Sequence, residues 1–256
     1  EDYDPDEIIY VVDKRQELHF VQVFRCARKT GLVKPETELK FLGFGTMNGK
    51  DGKPFKTRDG GVMRLEYLVS EIDNEMLKKI TEKSKENLGI SEEEAKETAK
   101  TVALAAIKYG DLSNQASKDY IFDIDRFTSF EGNTGPYILY TIVRIKSILH
   151  KYHDLGKSAE GAVITSAHSE SEKNLMLEIS KFNAVIDGAF ADTAPHKICS
   201  YIYDLANAFN SFYHETKIMS EEDETVQKSY IRLLELTKSV LETSIDLLGF
   251  SAPERM

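Results

Sequence analysis

Tryptophan is absent from these 256 residues, and cysteine nearly so. Cys26 and Cys199 lie far apart with no Cys-x-x-Cys pair. That spacing speaks against a disulfide scaffold or a cysteine zinc site and makes a reducing, cytoplasmic setting the expectation. No apolar run approaches the ~18 residues a membrane helix needs, so no membrane partner is expected. The opening Glu1-Asp2-Tyr3-Asp4-Pro5-Asp6-Glu7 is acidic, the opposite of a secretory or mitochondrial leader. Positive charge is also short overall, with 33 Lys and Arg against 43 Asp and Glu and a net charge of −10. Binding to nucleic acid through bulk charge is disfavoured. A local basic groove with aromatic stacking sites can still hold a folded RNA on an acidic surface. His150 and His153 stand one turn apart beside a polar loop with no third ligand nearby, so no metal is expected. Neither a Ser/His/Asp elbow, nor a Gly-rich Walker loop, nor an internal repeat is present.

What is present reads as a short α/β segment followed by helices. Ile8-Ile9-Tyr10-Val11-Val12 has the composition of a strand buried on both faces. Asp13 stands where a helix N-cap would, and Leu18, Val21, Phe24 and Ala27 follow at helical spacing before Gly31. Leu39 to Met47 is extended, and Asn48-Gly49-Lys50-Asp51-Gly52 is a turn. Strand, helix, strand is part of a parallel α/β sheet. From about Asp73 the pattern is helical. Ser91 and Glu94 form a capping box ahead of Val102, Ala106 and Tyr109. Pro195 opens a helix striped by Ile198, Ile202, Leu205, Phe209 and Phe212. Leu234, Val240, Leu241, Ile245 and Leu248 build a last helix that Gly249 can end. Between His153 and Lys173 the chain is rich in Gly, Ser and Ala and reads as a loop.

Three segments can carry chemistry. Asp51 to Gly61 is a loop with Lys53, Lys56 and Arg58, suited to a polyphosphate and equally readable as a solvated basic turn. Gln16, His19 and Gln22 follow the C-terminal end of the first strand, where ligands bind open α/β sheets, although polar residues on an amphipathic helix are commonly just exposed. After Gly135-Pro136, residues Tyr137, Tyr140 and Arg144 share one helical face, and Ile138, Ile142, Ile145 and Leu149 share another, roughly 140° away. The apolar stripe is core. The aromatic and arginine face fits base stacking with phosphate contact, or else packs inside a bundle.

In this order the segments resemble arginyl-tRNA synthetases, class I enzymes, over essentially the whole chain. The likeness is carried by Asp13-Lys14-Arg15-Gln16-Glu17-Leu18-His19-Phe20, Phe44-Gly45-Thr46-Met47 and Lys53-Pro54-Phe55-Lys56-Thr57-Arg58. It continues through Lys108-Tyr109-Gly110-Asp111-Leu112-Ser113, Phe130 to Tyr140, Pro195 to Tyr213, Leu247-Leu248-Gly249-Phe250 and Pro253-Glu254-Arg255-Met256.

The resemblance implies a mainly α chain, in which the remnant of a Rossmann-type parallel α/β catalytic domain precedes an all-α anticodon-binding helical bundle. The implied divisions are 1–72 for the catalytic part, with its signature loop at 53–58, 73–110 for connecting helices and 111–256 for the bundle. The implied reaction joins arginine and ATP, with Mg2+, into an adenylate and passes the arginyl group to its tRNA. No tightly bound cofactor is implied, and the protein is expected to be a monomer. Gln16 would meet arginine; His19, Phe44 and Gly45 would line the nucleotide side. Lys56 and Arg58 would steady the triphosphate from a degenerate signature loop. Tyr137, Tyr140, Arg144, Tyr213 and Met256 would meet the anticodon loop. The His-Ile-Gly-His motif and the upstream Tyr-x-x-Arg-Asp segment are absent from these residues, so the chain alone is expected to form no adenylate. The alternative is a non-catalytic helical module whose aromatic faces hold another protein. A cysteine enzyme with a related helical domain fits less well, because its Cys and His metal set is missing.

Overall fold

The computed structural model describes residues 3–53, 64–87 and 91–256, side chains of 83–87 excepted. The chain divides into two compact units, Glu1–Met63 with Asn114–Asp123, and Arg64–Ser113 with Ile124–Met256. Compactness thus returns 114–123 to the first unit, whereas the sequence division groups those residues with the bundle.

In the first unit, β1 (Glu7–Asp13) and β2 (Glu38–Phe44) pair in parallel from Glu7↔Glu38 to Asp13↔Phe44, joined through α1 (Glu17–Lys29). The β-branched and aromatic residues of β1 favour a pleated, packed strand. Tyr10 carries its packing: its ring centroid lies 5.0 Å from Phe20 and 5.2 Å from Phe24 of α1, and Phe20 lies 5.7 Å from Phe41 of β2. The expected burial of β1 on both faces is not observed: Ile9 is 40% exposed and Val11 60%. Successive strand side chains alternate between faces, and α1 covers the face carrying Tyr10; among the described residues the other face lies open. The stripe of α1 also differs from expectation. Phe20, Val21, Phe24 and Ala27 are half-buried while Leu18 is 70% exposed. At 100° per residue, Leu18 lies about 160° round the helix from Phe20.

Asp13 caps the turn before α1 as expected, its Oδ1 accepting from the Arg15 amide at 2.9 Å. Past β2 the chain makes the expected Asn48–Gly52 turn, with Gly52 at φ +73°. β3 (Met47–Asn48) then pairs in parallel with β4 (Tyr120–Ile121).

The second unit is helical: α2 (Leu65–Asn87), α3 (Glu92–Leu112), α4 (Ile124–Phe127), α5 (Gly135–Asp154), α6 (Glu170–Ser180), α7 (Phe182–Ala191), α8 (Pro195–Glu215) and α9 (Glu224–Leu247). α2 begins earlier than the expected Asp73. Ser91 Oγ accepts from the Glu94 amide at 3.2 Å, closing the amide half of the expected box. The stripes on α3, α5, α8 and α9 are all buried and form one core. Each buried Val, Leu, Ile or Phe among them contributes about 1.5–3 kcal/mol of transfer free energy. At Gly135 α5 comes close to α3, since a Cβ there would stand 2.3 Å from the Ala105 carbonyl oxygen. Tyr109 of α3 reaches through this core to the Cys199 carbonyl at 2.8 Å. Burial pushes the Cys199 thiol up to about 12, which leaves it a core residue rather than a nucleophile. Gly249, at φ +80°, ends α9, and the Phe250 amide donates back to Ile245 at 3.1 Å.

Candidate nucleic-acid interface

Thr134 opens α5 by accepting from the Tyr137 amide at 3.2 Å, and Pro136 follows in the first turn. This start fixes the rotation of the helix. Its apolar stripe, Ile138, Ile142, Ile145 and Leu149, is buried, while Tyr137, Tyr140 and Arg144 are half-buried on the other face.

That second face meets α8. The Arg144 guanidinium carbon lies 4.7 Å from the Tyr140 ring centroid and 5.4 Å from that of Tyr213. Arg144 Nη1 donates to Asn210 Oδ1 at 2.6 Å. Asn210 Nδ2 in turn donates to the Tyr137 hydroxyl at 2.9 Å, and that hydroxyl donates to Asn207 Oδ1 at 2.7 Å. Burial raises the Tyr137 hydroxyl above its ordinary range, so it stays a neutral donor. Tyr213 stacks on Phe209, with ring centroids 6.0 Å apart and planes 25° apart. A guanidinium facing two aromatic rings and locked by an amide is a rigid, flat, cationic platform.

Tyr140, Arg144, Tyr213 and Met256 line one cleft of about 500 Å3, together with Lys151 and Arg255. Tyr213 is 36% exposed and Met256 9%. Tyr137 differs from its expected companions: its hydroxyl is engaged by two asparagines and its ring lies 5.7 Å from Tyr203, in the α5–α8 seam beside the cleft. Lys151 and Arg255 have no ion-pair partner among the described residues, and with Arg144 they set three cations against the Asp154 and Glu254 carboxylates in the lining of the cleft. Sequence reasoning missed Asn207 and Asn210. An asparagine inside a helix is intrinsically unfavourable, and two of them three residues apart were the available hint.

In the first unit, Gln16 and His19 follow the C-terminal end of β1, Phe44 ends β2 and Gly45 follows it, all at one edge of the sheet. Gln16 and His19 are exposed, and Phe44 is 43% exposed. The edge is organised by backbone and ion pairs. Lys14 Nζ donates to Asp119 Oδ1 at 2.8 Å, and the same oxygen accepts from the Thr46 amide at 2.8 Å. These donors hold the Asp119 carboxyl well below the usual range, at about 2. Asp13 is likewise held at about 2 by Arg15. At Gly45 a Cβ would stand 2.3 Å from the Lys118 carbonyl oxygen, so only glycine allows this approach. Lys56 and Arg58 lie outside the described residues. Among the described residues, no group of three or more His, Cys, Asp or Glu is placed to hold a metal ion, and no helix is long and apolar enough to cross a membrane.

Residues 1–124 match the family of class I tRNA synthetases (R), catalytic domain, and residues 138–256 match the DALR anticodon binding domain. The chain is 71% identical to an arginine–tRNA ligase of Agathobacter rectalis, covering 98% of this chain and 43% of that protein. It is 59% identical to an arginine–tRNA ligase of Alkaliphilus oremlandii, covering 100% of this chain and again 43% of that protein. Among solved structures, the arginyl-tRNA synthetase of Thermus thermophilus superposes with a TM-score of 0.83 at 26% identity, over 98% of this chain and 41% of that one. The chain therefore spans less than half the length of the relatives it matches. Its parallel sheet edge and helical bundle match the two domains in their order, and the chain belongs to the arginyl-tRNA synthetase family.

Proposed function

We propose that this chain serves an arginine–tRNA ligase, which attaches arginine to its tRNA at the expense of ATP in the cytoplasm, and that its own part is to hold tRNA. The observation that carries this reading is the Arg144 guanidinium between the Tyr140 and Tyr213 rings on an open cleft. Unpaired bases of an RNA loop stack on such rings, and phosphates meet the nearby cations. In this reading Tyr140, Arg144, Tyr213 and Met256 touch the anticodon loop directly, and Tyr137 acts from behind through the asparagines.

At the sheet edge, Gln16 contacts arginine, and His19, Phe44 and Gly45 line ATP bound with Mg2+. Lys56 and Arg58 steady the triphosphate. The His-Ile-Gly-His motif is not among these 256 residues. Adenylate formation therefore belongs to a protein that carries both the motif and this chain, acting as a monomer. Filter binding of an arginine-accepting tRNA transcript to this chain tests the reading. Tyr213→Ala should weaken binding by roughly 1–3 kcal/mol, about 5- to 150-fold. A folded variant with unchanged affinity, or a wild-type chain that ignores tRNA, overturns the RNA role and favours a protein-binding bundle.

A further inference from the structure

Lys146 stands on α5 two residues beyond Arg144, and it is only 7% exposed. A buried ammonium is costly unless its donors are satisfied, and this one is surrounded by acceptors. Its Nζ lies 2.7 Å from Glu254 Oε1, 3.3 Å from Glu242 Oε1 of α9, and 3.4 Å from each of the Ala252 and Pro253 carbonyl oxygens. Three of those four acceptors belong to one short segment, 252–254. Both carboxylates keep contact with water, with side chains 36% and 69% exposed, so the lysine is the buried member of the cluster.

His150 and Lys238 also act on the Glu254 carboxylate, more weakly than Lys146. The segment lies beyond the last helix, and Phe250 is the last residue whose amide donates to the protein backbone among the described residues. Yet Glu254, Arg255 and Met256 line the cleft that Tyr140, Arg144 and Tyr213 open onto. Apolar burial secures the two ends, Phe250 and Met256; Lys146 supplies the polar tie between them.

We propose that Lys146 is a positioning residue whose buried ammonium latches residues 252–254 and thereby places Met256 as a wall of the cleft. The latch stands on its own geometry; its effect on RNA rests on the function proposed above. Lys146→Met keeps the length of the side chain and leaves no buried charge behind, since both carboxylates can turn to water. The test reads the Met256 methyl group by NMR of 13C-methyl-methionine protein, its signal assigned by deleting residues 252–256 both from the wild-type chain and from Lys146→Met, which brings one new methionine signal of its own, with tRNA binding in parallel. In Lys146→Met the Met256 signal should sharpen and move toward its solvent-exposed position while the other methionines stay in place. Affinity for an arginine-accepting tRNA transcript should fall roughly tenfold. Deletion of 252–256 should do the same, and the two changes together should be no worse than either alone.

A folded Lys146→Met protein with an unchanged Met256 signal overturns the latch. A loosened Met256 with unchanged RNA affinity in every variant leaves the latch standing and removes the RNA reading of the cleft. Should Lys146→Met fail to fold, Glu254→Ala takes its place. That variant removes the one short contact to the segment and leaves Lys146 with Glu242 and with two carbonyls at 3.4 Å, too long to hold the segment by themselves. An unchanged Met256 signal there overturns the latch equally.

Discussion

The α5–α8 seam and the sheet edge of the first unit are organised in opposite ways. In the seam, side chains hold side chains: Asn210 bridges Arg144 and Tyr137, and two rings flank the guanidinium. At the sheet edge, the residues expected to meet small molecules are exposed, and what is built is backbone, where Gly45 and Thr46 press against Lys118 and Asp119. A splayed RNA base gains from a rigid platform, because ordering flexible rings during binding would consume part of the stacking energy. A nucleotide needs close backbone approach, which glycine and a pinned loop supply.

The largest expected effects come from placing a methyl group at the tightest backbone contact in each region. Gly135→Ala and Gly45→Ala both direct a Cβ to within 2.3 Å of a carbonyl oxygen. In the first case the carbonyl is that of Ala105, inside the buried α3–α5 contact, which cannot yield without moving the core. We expect a loss on the order of 3 kcal/mol, about 6–12 °C in the helical melting transition followed by circular dichroism. In the second case the carbonyl belongs to the surface segment 114–119, which can shift. The helical transition should then move by no more than about 1 °C, while hydrogen exchange at residues 116–120 speeds up. Equal thermal losses from both substitutions would erase the distinction between the regions.

A smaller effect separates network from surface. Asn210→Ala leaves the Arg144 guanidinium and the Tyr137 hydroxyl each short of a partner, at about 1–3 kcal/mol of stability. With Arg144 freed, tRNA affinity in filter binding should fall roughly tenfold. Gln16→Ala, at an exposed position, should leave the melting temperature unchanged within the usual ±0.5 kcal/mol of surface substitutions. If Asn210→Ala weakens folding but not RNA binding, the asparagine supports the bundle alone.

These contrasts track what was legible in the sequence. The stripe Ile198-Ile202-Leu205-Phe209-Phe212 announces a buried helix face because a helix repeats every 3.6 residues and burial follows that repeat. The Ser91 cap and the Gly249 stop are local chemistry, read from single residues. The face shared by Tyr137, Tyr140 and Arg144 was equally readable. Which of its members reach the cleft was not, since Tyr137 is drawn into the seam by Asn207 and Asn210, seventy-odd positions away. The same holds for β3 with β4, a two-residue pairing between distant segments that leaves no periodic trace. The composition of β1 suits a strand covered on both faces, yet Ile9 and Val11 are exposed, because strand composition reports affinity for a covered face without reporting how many faces are covered.

The smallest effect is a titration that tests whether the sheet edge is held by charge as well as by backbone. Asp119 accepts from Lys14 and from the Thr46 amide, and its carboxyl is depressed from an ordinary 3.8 to about 2. A depressed carboxyl stabilises the folded form above its unfolded pKa, and that contribution is lost as pH falls through the folded value. The pinning of segment 114–119 should therefore be intact at neutral pH, weaken below about 3.8, and be gone below about 2. Carboxyl-carbon NMR of Asp119 should show a midpoint near 2, and Lys14→Met should return it toward the ordinary range. Since both partners are roughly half exposed, salt should screen the shift as well. A midpoint near 3.8 in the wild-type chain would leave Gly45 and its backbone contact as the whole of what shapes this edge.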